Sequence, residues 1–290
     1  MPLFDMFLAP FLDYAFMQRA LAGALLLSVS CGPVGVFLML RRMSLTGDAM
    51  SHAILPGAAL GFLFYGLEIL PMTIGGLVVG LLVALGAGAI SRVTIQKEDA
   101  SLAAFYLISL ALGVLLVSWR GSSIDLMHVL FGTVLALNNE ALGLILGICV
   151  ISLSIMGFFG RALFAECLDP LFLRSVSRWG APVHFLFLAT VVLNLVGGFQ
   201  ALGTLLSVGL MMLPAAASRF WASRVFPMCL VSIGIGMVSS CAGLLLSYHA
   251  SLPSGPAIIL SAGAIYVLSI LFAPRGIVRD AVNAIRLKTT

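Results

Sequence analysis

Met43-Ser-Leu-Thr-Gly47-Asp48-Ala-Met-Ser-His52-Ala-Ile-Leu-Pro56-Gly57 stands between the arginine pair Arg41-Arg42 and the apolar run Ala58–Tyr65. A basic pair followed by a sparsely charged stretch that opens into an apolar run is the mouth of a membrane segment. This one carries an acid and an imidazole four residues apart, a spacing that stacks both side chains on one helical face. An ionised carboxylate at the centre of a membrane helix costs about 2.5–3.5 kcal/mol on insertion scales, so Asp48 is expected to face protein, water or a cation rather than lipid. An oxygen ligand beside an imidazole suits a divalent transition metal such as zinc, manganese or iron. A helix-capping Asp48, with His52 hydrogen-bonded to a neighbour, accounts for the same spacing. Pro56 is expected to kink the segment and Gly57 to accompany the kink, freeing backbone carbonyls that something must satisfy.

The rest of the chain agrees with a membrane setting. Of its 290 residues 61% are hydrophobic and only 9% charged, where soluble domains carry about 25% charged residues. The fold class is an all-α polytopic membrane protein of about eight to nine transmembrane helices, forming one domain over 1–290. The apolar runs fall at 20–40, 48–67, 72–90, 101–118, 141–159, 183–198, 201–217, 226–248 and 255–273. Residues 1–18, with Phe4, Phe7, Phe11 and Phe16, read as an interfacial lead-in. A cleavable signal pattern is not expected in this stretch, because Asp5 and Asp13 interrupt it and it lacks a basic n-region. The piece 126–137 is too short to cross and suits a re-entrant segment.

With Arg41-Arg42 on the cytoplasmic side, alternating spans put every Lys and Arg except Arg19 and Arg120 on that side too. The net charge of +4 is explained by this topology, and no nucleic-acid partner is expected. The cytoplasmic segments are then the loop 160–181 and the tail 274–290. In the loop, Asp169-Pro170 start a helix of about ten residues that Gly180 and Pro182 end. Phe172, Val176 and Trp179 share one of its faces, Arg174 and Arg178 another. Such a helix can rest on membrane lipid or dock into a partner.

Gly57-x-x-x-Gly61, Gly76-x-x-x-Gly80 and Gly143-x-x-x-Gly147 permit close helix packing, read here as packing within the bundle. The hinge between the runs 183–198 and 201–217 is read at Gly197-Gly198-Phe199-Gln200. The five cysteines lack a Cys-x-x-Cys pair and read as small core residues. His249, His128 and His184 are the remaining imidazoles, with an ordinary non-ligand role open for each, and Met211-Met212 read as packing or as soft donors.

The string from Arg42 to Gly57 closely resembles the signature of metal-type ABC importer permeases, the zinc/manganese family. Two further stretches are similar to the family's. Asp169, Phe172 and Gly180 fit in outline a segment that in relatives contacts the ATPase, and Gly203-Thr-Leu-Leu-Ser-Val-Gly-Leu-Met-Met-Leu-Pro214-Ala fits a second motif. The resemblance covers about residues 19–275.

It implies a membrane subunit that translocates a divalent transition metal, zinc first, with manganese or iron open, across the cell inner membrane. The metal is a transported ion rather than a resident cofactor. Implied partners are a cytoplasmic ABC ATPase, an extracytoplasmic metal-binding protein and a second permease copy in a homodimer. The implied fold is that of the cobalamin and siderophore importers with fewer spans. The resemblance places Asp48 and His52 in the metal path, with His249 and His128 as further candidates, and Arg174 and Arg178 beside Asp169, Phe172 and Gly180 at the ATPase contact.

The chain carries no Gly-x-x-x-x-Gly-Lys-Ser/Thr loop, so ATP hydrolysis falls to another subunit. An ion-gradient-driven carrier is the alternative, disfavoured because Asp48 is nearly alone as an acid within the spans. An intramembrane metalloprotease lacks its His-Glu-x-x-His. One departure from the family is Ser251, which replaces an acid in the pattern Tyr-x-x-Asp-x-Pro-x-Gly at Tyr248–Gly255.

Overall fold

Apolar surface that faces lipid on one side and protein on the other leaves helix packing to decide the arrangement. A computed structural model describes residues 9–66, 68–119, 137–168 and 180–277, and among these every regular element is a helix. They are α1 (Ala9–Asp13), α2 (Ala15–Leu40), α3 (Thr46–Ala53), α4 (Leu55–Tyr65), α5 (Ile69–Val93) and α6 (Glu98–Trp119). Then follow α7 (Asn139–Leu168), α8 (Gly180–Leu202), α9 (Thr204–Trp221), α10 (Val225–Ala250) and α11 (Ser254–Phe272). Eight of them are long and apolar enough to cross a membrane. α3 and α4 together run from 46 to 65, about 30 Å at 1.5 Å per residue, so as a pair they span one further hydrocarbon thickness.

α2 and α8 form the centre: 72% of the most apolar window of each is buried, against 22% for α5, α6 and α7. α2 packs on α7, α8, α9 and α10, and α8 on α5, α7 and α9. Small residues let the backbones approach. A Cβ on Gly35 of α2 would lie 1.8 Å from the Met211 carbonyl oxygen of α9. Against α10, the Ser232 hydroxyl donates to Gly32 O (3.3 Å), and Ser28 and Ser240 place their hydroxyls 3.4 Å apart. Such contacts supply packing and hydrogen bonding where the hydrophobic effect cannot separate helix from lipid.

The structure corrects several expected boundaries. The first long helix begins at Ala15, so residues 15–18 belong to it rather than to an interfacial lead-in. The run 48–67 is two helices joined at Ile54 instead of one kinked span. The hinge expected at Gly197-Gly198 lies at Gly203, whose φ of 92° favours glycine. Gly197 and Gly198 stay helical because they make room, the first for Ile148 and the second for Ser207. Residues 160–168 continue α7 instead of starting a loop. Gly180, expected to end a helix, opens α8, with Pro182 in the first turn where backbone N–H groups lack helical partners anyway. Among the described residues nothing lies within 4 Å of a Cβ placed on Gly143 or Gly147, so the close packing expected of that pair is not seen there.

Gly57 and Gly61 do pack within it, against α5. A Cβ on Gly57 would fall 2.0 Å from the Gly75 carbonyl oxygen, which is backbone and cannot swing aside. Gly57→Ala is therefore expected to push α4 off α5 at a cost of about 1–3 kcal/mol, read as a lower unfolding temperature of the purified chain. An unchanged transition would show that the two helices are free to separate.

Candidate functional site

The turn Met43-Ser-Leu hands the chain from α2 to α3, with Thr46 N–H donating to Met43 O (3.2 Å) and Ala49 N–H to Leu45 O (3.0 Å). Asp48 thus falls in the first turn of α3, where the helix dipole favours an anion. It is not the cap: the N-cap is Leu45, and no side chain caps the helix. Asp48 Oδ1 and His52 Nε2 stand 3.8 Å apart, too far for a hydrogen bond. That separation is shorter than one metal–oxygen plus one metal–nitrogen bond, about 4.2 Å, so both atoms can reach one ion. The side chains are 69% and 34% exposed. They look onto a cavity of about 510 Å³, closed on its far side by Thr204, Val208 and Met212 of α9 and Ile259 of α11. Met212, one of the pair that could be packing or a soft donor, lines this cavity, whereas Met211 is fully buried.

The joint between α3 and α4 holds this face in place. Pro56 has no N–H to give, and the Gly57 N–H turns to Ile54 O (3.1 Å). The Ala53 carbonyl accepts instead from the Ser109 hydroxyl of α6 at 2.8 Å, so protein rather than ligand satisfies it. Ile54 wedges against Gly76 and Gly80 of α5, the second glycine pair. Gly57 lies on Gly75, as described above.

A second cluster of chemistry lies at one end of the bundle, assembled from residues far apart in the chain. Glu166 of α7 is 1% exposed and receives Arg92 Nη2 at 3.3 Å and Arg41 Nη2 at 3.7 Å. His184 of α8, 3% exposed, accepts a short contact from the Arg41 guanidinium at Nδ1. Its remaining ring proton is then on Nε2, which faces Glu98 Oε1 of α6 at 3.0 Å. Arg41 also lies over the Phe187 ring (5.0 Å) and Arg92 over Phe185 (5.2 Å). This network joins the ends of α2, α5, α6, α7 and α8. Two guanidiniums in its midst make it a brace rather than a cation site. The available signal was one acid, Glu166, in the otherwise apolar stretch 162–168.

His249 is not brought to the Asp48 cavity. Its Nδ1 bonds Leu245 O of its own helix at 2.9 Å, and it lines a separate apolar groove with Met237 and Cys241. Ser251, at φ 54°, caps α10 in the left-handed region. His128, Asp169, Phe172, Arg174 and Arg178 lie outside the described residues. Among the described residues no three His, Cys, Asp or Glu side chains gather as a metal cage. Asp48 and His52 stand there as a pair without a third such side chain among the described residues.

Residues 13–273 match the family model described as the ABC 3 transport family. The chain belongs to the ABC 3 transport family. Its relatives include the manganese import system permease protein ScaB of Streptococcus gordonii, 34% identical over 263 residues (91% of this chain, 93% of the relative). The manganese transport system membrane protein MntC of Halalkalibacterium halodurans is 32% identical over 265 residues (91% and 89%). Among solved structures, PsaBC from Streptococcus pneumoniae in complex with Fab superposes with a TM-score of 0.81 at 33% identity, covering 93% of this chain and 96% of that one. A metal-chelate type ABC transporter in an inward-facing conformation shares the fold at a TM-score of 0.69 and 14% identity, over 87% and 85% of the two chains. The chain is thus a multi-pass permease of the cell membrane in a family of metal ABC transporters, and the catalytic ATPase activity of such transporters is not a permease property.

Proposed function

We propose that this permease moves a divalent transition metal into the cell past Asp48 and His52, with manganese as the first candidate. The observation that carries this reading is the 3.8 Å pair on one face of α3, open to a cavity between α3, α9 and α11. One carboxylate and one imidazole suit manganese, iron and zinc alike. The names of the relatives favour manganese over zinc, the metal named first from the sequence. A Haemophilus influenzae relative, 30% identical over 271 residues (93% of this chain, 98% of the relative), is described as a "probable iron transport system membrane protein" and keeps iron second. A path must release its ion, so two protein ligands completed by water serve better than a closed cage. Growth rescue of an uptake-deficient strain in media limited for manganese, iron or zinc tests the assignment. Rescue under zinc limitation alone would overturn it.

In this reading the Arg41–Arg92 end faces the cytoplasm, an ATP-hydrolysing partner docks there, a metal-binding protein delivers from outside, and two permease copies enclose the path. The stretch between α7 and α8, outside the described residues, carries Asp169, Phe172, Arg174 and Arg178. Phe172→Asp is expected to lower copurification of the ATPase and transport together while membrane insertion persists. Unchanged copurification would mean that this segment rests on lipid instead.

A further inference from the structure

Near the end of α2, away from the Arg41–Arg92 network, α9 turns into α10 at Ala222-Ser-Arg224 and α11 ends beside that turn. Val36 of α2, Ala215 of α9 and Met228 of α10 form a small buried cluster there, with Leu40, Ala222 and Val225 packed against it. The Arg275 N–H donates to Phe220 O (3.2 Å), and the Trp221 indole N–H donates to the Ser269 hydroxyl (2.9 Å). The Phe220 and Tyr266 rings meet edge-on with centroids 6.2 Å apart. These contacts hold the end of α11 against the end of α9, so Arg219, Arg224 and Arg275 are carried on one fixed surface.

All three arginines are exposed, and among the described residues their side chains form no ion pair and no hydrogen bond. Arg41 and Arg92 share Glu166, but the chain has no Asp or Glu between Asp169 and Asp280, so α8 to α11 supply no carboxylate here. Like charges held on one surface repel unless an anion from outside the chain lies among them. α10 also begins at Arg224 without a side-chain cap, so its first backbone N–H groups and the positive end of its dipole add to the field. The surroundings are apolar: Trp221 is 50% exposed, Phe226 74% and Phe272 67%, all on helices long and apolar enough to span a membrane. Aromatic side chains at the ends of spans sit at headgroup depth. Acyl chains, not a cytosolic protein, cover the flank of a spanning helix, and headgroup phosphate is the anion at that level.

We propose that Arg219, Arg224 and Arg275 bind the headgroup phosphate of an anionic membrane phospholipid, with Trp221, Phe226 and Phe272 against its glycerol and acyl chains. A guanidinium presents paired N–H donors that match phosphate oxygens, which an exposed ammonium does not. The bound phosphate offsets the repulsion among the three arginines and ties the ends of α9, α10 and α11 together. α9 and α11 also wall the Asp48–His52 cavity, so the lipid steadies two of the helices that enclose it. The site does not depend on which metal is carried.

The test is native mass spectrometry of the permease–ATPase complex released from mixed micelles of phosphatidylglycerol and phosphatidylcholine. The two lipids share a phosphodiester and differ in net charge, so the ratio retained reads the preference for an anionic headgroup. Arg219→Gln, Arg224→Gln and Arg275→Gln are each expected to lower that preference about fivefold, and the triple variant about a hundredfold. Substitutions at exposed positions leave the fold intact. Arg161→Gln is the control: Arg161 is exposed on α7, which packs on α2 and α8, and its loss should change the ratio by less than about twofold. A triple variant with the wild-type ratio overturns the site. So does an Arg161→Gln that loses as much as each single variant, which would reduce the effect to general surface charge. Loss of the ATPase from the triple variant with phosphatidylglycerol still retained would also overturn it, giving this face to the ATPase instead.

Discussion

Replacing Asp48 by asparagine is expected to bring metal uptake to background while expression and ATPase association stay normal. Asparagine keeps the shape and the place in the first turn of α3 but removes the charge. At 69% side-chain exposure, with no hydrogen bond to lose and no capping role, the change should shift stability by no more than about 0.5 kcal/mol. The loss should therefore appear in transport alone. His52→Ala is expected to behave likewise, because an ion with two protein ligands loses half of them with either change. Transport at the wild-type rate by Asp48→Asn would reduce the acid to a helix-start residue and place the path elsewhere.

The second large effect is expected at Glu166. Its carboxylate is 1% exposed and sits between Arg41 and Arg92, whose side chains are only 7% and 13% exposed. Removing one partner from a buried ion network leaves uncompensated charge and costs about 3–5 kcal/mol. Glu166→Ala should therefore lower the unfolding temperature sharply or prevent accumulation of the permease. Replacing Glu166, Arg41 and Arg92 together by apolar residues of similar volume should recover much of that loss. Recovery of the fold without transport would show that the brace also serves the coupling between the bundle and the segment after α7. A wild-type melting curve for Glu166→Ala would mean that the network contributes nothing.

How much of this was legible in the sequence depended on the range of each signal. Length and apolarity of a run are local, so the long helices could be read directly, as could the four-residue spacing that stacks Asp48 over His52. The joint at Ile54 was half legible: Pro56 announces a disturbance, but the break falls two residues earlier because Ile54 wedges between Gly76 and Gly80 of another helix. Gly197-Gly198 misled for the reverse reason. Glycine marks a hinge or a close contact alike, and here Ile148 and Ser207 claim the space.

Long-range pairings were the illegible part. Arg41, Arg92, Glu98, Glu166 and His184 are scattered over more than a hundred residues, and each alone reads as a loop charge or a packing histidine. Only the packing of α2, α5, α6, α7 and α8 brings them within ion-pair distance. Packing alone likewise brings Met212 to the cavity that His52 lines. Glu166 also bears on the carrier alternative, since a buried acid does exist, but two arginines hold it and no path to it is needed.

Reconstitution of the permease with its ATPase in liposomes, with external metal-binding protein and radioactive manganese, tests the central claim most directly. The account predicts manganese accumulation that requires ATP hydrolysis on the side of Arg41 and Arg92, persists when proton and sodium gradients are collapsed, and vanishes in Asp48→Asn. Accumulation by the permease alone, driven by an imposed proton or sodium gradient without ATP, would contradict it.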